Sequence, residues 1–494
     1  MLHAHLPQWS VSASGSSPLS KSVPSVIDQD FLLSRRFGFG PRIAPNGRQS
    51  ADFAKLLLSE IARGGDGPRG DEKLPTSRAA LGEHETFQED SRRRAANKEQ
   101  MEARQAIDAA RKEAMQMGKP VPPGYIAPSR RIFNEEAAFR FQAAIAAHTG
   151  FTERIVWFWA NHFAVAVSKG GNIELTVGAF EREAIRPNMF GSFRALLKAA
   201  EQHPAMLIYL DNYLSVGPRS RAGARRGTGL NENHARELFE LHTMGVKGGY
   251  TQGDVTALAK VLTGWTVGSR HDEEGELGAF HFNAHRHEPG KQTVLGRTYA
   301  DEGLAQGEQF LDDLARHPST ANFIAWKLVS HFIEDEPDPA RVAKIAKVFR
   351  ATDGDLSAVY VALVEIGIAA QQARKVRPPL ELVVASLRGT GHPFALGQAL
   401  QYAQLLGQPL WNPPGPNGFP DASADWVTPA GMKVRLEVAM AIARRTPGDA
   451  NPSQALDKLF GDACSTQTRR AVGRAESRAQ GYALLLMSPE IQRR

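Results

Sequence analysis

Two carboxylates and an amide recur at helical spacing in NENHARELFELHTMG, residues 231–245. On a helix advancing about 100° per residue, Asn233, Glu237 and Glu240 fall within about 60° of one another. His234, Leu238 and Leu241 face roughly 100° away, which leaves the acids as a separate stripe. Such a stripe can hold a metal, or can divide acid and base roles where the surroundings separate the two pKa values. The plain alternatives are a solvated face and a buried structural pairing, since helical carboxylates mostly face water. Asn231 is a good N-cap and Glu232 lies in the first turn, so capping alone accounts for Glu232.

Histidine supplies the second ingredient: eight of the fifteen fall between His162 and His287. In FHFNAHRHEPGK (280–291), His281, His285 and His287 stand close to Glu288 and Lys291, with a turn at Pro289-Gly290. Alternate positions on a strand share a face, so His285 and His287 would point together, and imidazole suits both metal ligation and proton transfer near neutral pH. In WFWANHFAVAVSK (157–169), His162 stacks with Phe158 and Trp159, a setting in which a core histidine bonded to a neighbour is the commoner outcome. Between these segments lie Asp211 and Asn212 of MLIYLDNYLS, and a loop, PRSRAGARRGTG (218–229), carrying Arg219, Arg221, Arg225 and Arg226. That loop could clamp an anionic group, or simply be solvated; it lacks the phosphate-binding GxxxxGK[ST] pattern. No GxSxG, HExxH or GxGxxG pattern occurs.

The candidate catalytic residues are therefore Glu237, Glu240, His162 and His287. Asp211, Asn212, Asn233, Lys291, Arg225 and Arg226 are candidates to contact substrate. A divalent metal is the one cofactor these residue types suggest, and the same four catalytic candidates would ligate it.

Positioning these groups falls to helices. Apolar residues at three-and-four spacing predict helices over 139–167, 193–214, 231–244, 254–262, 304–316, 320–332 and 339–350. Only 278–299 alternates enough to predict a small β-hairpin. The fold class is all-α, a large multi-helix unit. Its expected parts are a flexible lead-in (1–28), a helical segment (29–62), a linker with a long charged helix (63–129), a central core bearing the site (130–375) and a C-terminal helical region (376–494). The charged helix, 83–117, reads as exposed and able to dock a partner.

The chain of 494 residues has a net charge of +6. Residues 91–131 carry ten Lys/Arg against four acids, which is the whole of that excess, so no general nucleic-acid surface is implied. A single cysteine, Cys464, excludes an intramolecular disulfide framework. No apolar run is long enough for a membrane span, and the N-terminal residues lack an export signal's apolar core, so a cytoplasmic location is expected.

Several of these segments together resemble the bacterial domain of unknown function 1800 (DUF 1800) family over essentially the whole chain. The motifs are RRFGFGP (35–41), FWANHFAVAVSK (158–169), HPAMLIYLDN (203–212), NENHARELFELHTMGVKGGYTQGDV (231–255), LTGW (262–265), HPSTANFIAWKL (317–328) and LLLMSPEIQRR (484–494). The family's RAGFG stands here as RRFGFG, and its His-Asp as His287-Glu288. The resemblance implies a mainly helical fold and no particular activity; its members often look exported, which keeps export open.

Two function classes follow. One is an enzyme, a hydrolase or lyase, with or without a metal, that acts on a polar or anionic small molecule or polymer. The other is a non-catalytic binding or assembly protein in which the Glu/His cluster is a structural network.

Overall fold

The computed structural model describes residues 26–43, 52–67, 71–95, scattered positions within 102–110, 127–226, 229–269, 275–371, 375–448 and 451–494. It is predominantly helical, with two small antiparallel sheets of two strands each. The main apolar core draws on residues from Leu33 to Ile491. Among the described residues no helix is long and apolar enough to cross a membrane.

The helix Phe151–His162 passes through the middle of that core; of its twelve residues only Ala160 and Asn161 are not buried. Gly150, at φ +83°, separates it from the helix Pro128–Ala146, so the span predicted as one helix over 139–167 is two. The RRFGFGP segment packs beside it: Phe37 and Phe39 are buried, and Arg154 donates to the Gly38 carbonyl at 3.0 Å. Gly38 is a close backbone approach, since a Cβ there would lie 2.0 Å from the Thr149 carbonyl oxygen.

The span predicted over 193–214 is likewise divided, into Phe193–Glu201 and Pro204–Tyr209. His203 starts the second helix by accepting the Ala205 amide on Nδ1 at 3.1 Å, ahead of Pro204 at the first helical position. His317 does the same for Pro318–Phe332, so two of the three His-Pro pairs in the sequence are helix starts.

The β-structure departs from expectation. Phe280–Phe282 pairs with Trp265–Val267, and the tight hairpin is Gln292–Val294 with Arg297–Tyr299. Residues 283–288 form turns instead of strand. The charged helix begins at Ser77, inside the stretch read as a linker, and runs to Ala95. Its first turns are not free in solvent: Ala80 packs against Ile132 and Leu175, and Glu83 pairs with Arg131 at 2.7 Å. Most of the remainder, on which the docking expectation rests, lies outside the described residues, as do His271 and residues 1–25 of the expected lead-in 1–28, whose last residues begin the helix Val26–Phe37.

Candidate functional site

The 231–245 segment is not a uniform helix. Asn233–Glu237 is α-helical, and Leu238–Thr243 widens into a π-turn in which the Met244 amide bonds to the Phe239 carbonyl, five residues back, at 2.9 Å. The consequence can be worked out. On a regular helix His234 and His242, eight residues apart, would point about 80° away from each other. One inserted residue takes back about 100° and brings them nearly into line. Both then reach the same carboxylate, Glu201, at the end of the helix Phe193–Glu201. His234 Nε2 lies 2.7 Å from one oxygen and His242 Nδ1 lies 2.8 Å from the other. All three side chains are fully buried. Burial alone would raise the carboxyl of Glu201, but the two imidazoles outweigh it and hold the group down to about 2.

His162 belongs to the back of this cluster. Its Nε2 bonds to the backbone oxygen of His242 at 3.0 Å, and its ring lies among Phe158, Trp159 and Phe163. Burial pulls its pKa well below the ordinary value, so it is neutral. It sits as a core histidine.

The acids face outward from the same turn. Glu237 is half-buried, and no hydrogen bond to it is found among the described residues. Burial, with Glu240's charge adding to it, raises its carboxyl above the ordinary range against the opposing pull of His242, Arg236 and His234. Glu240 accepts from the Tyr250 hydroxyl and faces Arg236 at 4.0 Å; burial and Glu240 together push Tyr250 up to about 12. Tyr209 is close enough to Glu237 to be raised as well, chiefly by burial. Exposed Asn233 and half-buried Asn231 both donate to the Leu210 carbonyl, at 3.5 and 3.0 Å, which binds the acid-bearing turn to the 206–214 segment. Asp211 follows in a left-handed conformation (φ 58°) and pairs with Lys169 at 2.5 Å.

The other candidates go elsewhere. Asn212 is buried and donates its amide to the Leu262 and Trp265 carbonyls, at 3.1 and 3.0 Å, so it is not available to a substrate. His287 is buried and turned to the Thr263 carbonyl (2.9 Å), whereas His285 is exposed in the turn; the two do not share a strand face. Glu288, fully buried, takes the Arg219 amide at 2.8 Å and its guanidinium Nε at 2.6 Å. The arginine loop is therefore fastened to the His287-Glu288 turn, with the Ala222 amide also bonding to the His285 carbonyl at 3.0 Å. Lys291 is exposed. Arg225 and Arg226 fall on the short helix Gly223–Arg226, and their side chains lie outside the described residues.

The structure thus puts Glu237 and Glu240 on one turn that Asn231 and Asn233 fasten to Leu210, next to the Lys169-paired Asp211, with His162 behind it and His287 bonded elsewhere. Among the described residues no group of three or more His, Cys, Asp and Glu side chains is placed to hold a metal. Glu201 was missed because its partners are distant in sequence and meet it only through the π-turn. A second polar centre was also missed. His331 bonds to Asp421 at 2.6 Å, and Arg154 and Arg494 both converge on Glu381. Asp421 directly follows the proline- and glycine-rich run WNPPGPNGFP (411–420).

No curated protein and no solved structure matches the chain. The family model described as "Protein of unknown function (DUF1800)" matches residues 32–493, and the chain belongs to that family.

Proposed function

We propose that the protein is an enzyme of the hydrolase or lyase type, with Glu237 and Glu240 as its paired carboxylates and a polar or anionic small molecule or polymer as substrate. The observation that carries this reading is the unequal setting of two neighbouring acids. Glu237 is half-buried with its carboxyl raised, while Glu240 is held by Tyr250 and Arg236. A carboxylic acid of raised pKa suits proton donation, and a neighbouring acid held by a hydroxyl and a guanidinium suits base or charge-stabilising work. Asp211 and Asn233 stand within the same neighbourhood to bind polar groups of a substrate, and the left-handed Asp211 is the kind of strained residue that functional sites retain.

A second reading, the non-catalytic binding or assembly protein, draws on a different observation. Glu201, His234, His242 and His162 are closed off from solvent, as befits a structural network.

The test is turnover on chromogenic esters and glycosides and on uronate-containing polysaccharides, using wild type, Glu237→Gln and Glu240→Gln. The enzyme reading expects a loss of about 100-fold or more in each variant at an unchanged unfolding midpoint. Turnover that survives both substitutions sinks it, and an inert wild type that still binds such a polymer supports the second reading.

A further inference from the structure

Away from the acid pair, the large apolar side chains left in water are not scattered evenly. Among the described residues nine of them are exposed, and three, Val427, Met432 and Leu436, fall within ten residues of chain. Single exposed apolar side chains are ordinary, whereas a cluster of them calls for an interaction to cover it. Met432 and Leu436 stand four apart on the helix Pro429–Arg445, and Val427 lies just ahead of its start.

The helix is anchored by its inner face. Val438, Ala439, Ile442 and Ala443 are buried there. Buried Arg435 donates to the Trp426 carbonyl (3.2 Å), the Gln492 side-chain oxygen (2.8 Å) and the Arg377 carbonyl (2.8 Å). Thr428 caps the first turn by accepting the Gly431 amide at 3.1 Å. The outer face is thus presented on a fixed element, and little order has to be gained when something docks on it. On that face Met432, Leu436 and half-buried Met440 follow one another about 40° apart and make one apolar stripe. Lys433 and Glu437 run along one edge of it, 3.9 Å from each other, with side chains 78 % and 61 % exposed. Lysine precedes glutamate, the weaker order for a pair four residues apart, so both charges are largely uncommitted within their own chain.

We propose that this face joins two copies of the chain, the Pro429–Arg445 helices packing antiparallel about a two-fold axis with Leu436 against its own copy. Charge complementarity selects a second copy as the occupant. A stripe edged by one cation and one anion becomes its own complement when the helix is turned end for end. With the axis level with Arg435, Lys433 lies two residues, about 3 Å, to one side of it and Glu437 the same distance to the other. The rotation brings Lys433 to the height of Glu437 of the partner subunit, on the same edge of the stripe, and symmetry supplies the reciprocal pair. Met432 then approaches Met440 of the partner subunit, and two flexible thioether side chains suit an irregular seam. A partner of one charge sign would leave either Lys433 or Glu437 unmatched. An apolar centre with a charged rim is the usual build of an interface, and one helix pair is a small one, so the dimer is weak and reversible. The surface is independent of the role of the Glu237–Glu240 pair.

The test is sedimentation velocity on the full chain from about 1 µM to about 100 µM, the range in which a weak dimer forms and dissociates. Wild type should pass from monomer to dimer across it. Leu436→Glu should stay monomeric throughout at an unchanged unfolding midpoint, because the side chain is 48 % exposed and supports little of the fold. Lys433→Glu and Glu437→Lys each turn two attractive pairs into two repulsive ones across the axis, and each should weaken the dimer about tenfold. The double variant Lys433→Glu with Glu437→Lys exchanges the charges and should regain wild-type association. A wild type that is monomeric at every concentration would overturn the proposal. A dimer that survives Leu436→Glu, or a double variant as weak as the single ones, would do the same. Should Leu436→Glu fail to fold, the charge exchange at the two exposed positions decides the question.

Discussion

Replacing Glu201 by Gln should destabilise the protein in a way that only a buried ionised carboxylate explains. The wild-type group sits between His234 Nε2 at 2.7 Å and His242 Nδ1 at 2.8 Å, and its carboxyl is held from an ordinary 4.5 down to about 2. At about 1.4 kcal/mol per pKa unit, that difference corresponds to roughly 3 kcal/mol. A charge-assisted hydrogen bond from His234, of about 1.5–3 kcal/mol, together with the His242 contact brings the same order of magnitude, so the figure is consistent with the contacts. The sign follows from a folded pKa below the unfolded one. The stabilisation is fully present above about pH 4.5 and is lost as pH falls toward 2. Glutamine keeps one acceptor oxygen but turns an amide N–H₂ toward the second imidazole, and it cannot titrate. Urea unfolding followed by circular dichroism at neutral pH should therefore show a loss of about 3 kcal/mol in Glu201→Gln. The gap between the two proteins should narrow as pH falls through that window. A variant within about 0.5 kcal/mol of wild type at neutral pH, the size of an ordinary surface substitution, would refute the clasp. So would an acid limb of unchanged steepness.

Glu237→Gln should behave in the opposite way. A raised folded pKa contributes stability below the unfolded value and loses it as pH rises through the folded value, so removing the charge should leave neutral-pH stability equal or slightly higher. A clear drop in the urea midpoint would count against the half-buried, unpartnered placement. Gly38→Ala forces a methyl group to 2.0 Å from the Thr149 carbonyl oxygen and should cost more than about 3 kcal/mol, read from the same unfolding curves. Arg219→Ala strands Glu288, buried and otherwise bonded through the Arg219 amide; amide exchange at Gly217 and Ala222 should accelerate, and exchange at wild-type rates would show that the loop is held by its backbone alone.

Much of the helical scaffold was legible because burial of one face imposes a three-and-four period. Leu304–Arg316 runs as the pattern predicts, and Pro339–Ala351 differs from it by one residue. Where a helix is buried all round, as in Phe151–His162, periodicity stops marking its ends, and a glycine at positive φ decides the break. The 231–245 stripe was drawn on a uniform helix, and a π-turn leaves no trace in hydrophobic period. The pairing of Phe280–Phe282 with Trp265–Val267 is set by long-range register, which alternation within one segment cannot reveal.

The π-turn ties the two halves of the candidate site together. A regular helix through 231–245 could present its acids outward, but it would place only one of His234 and His242 on Glu201. Inserting one residue aligns both histidines inward, and the clasp they form then supports the widened turn that made it possible. In the same turn Glu240 meets Tyr250 and Arg236, whereas no hydrogen bond to Glu237 is found among the described residues. The asymmetry on which the enzymatic reading rests therefore stands on the turn that the buried cluster holds from behind. If that coupling holds, Glu201→Gln should also change the environment of Glu237, which it does not touch. A titration of the Glu237 carboxyl that is identical in wild type and Glu201→Gln would show that the two faces of the turn are independent.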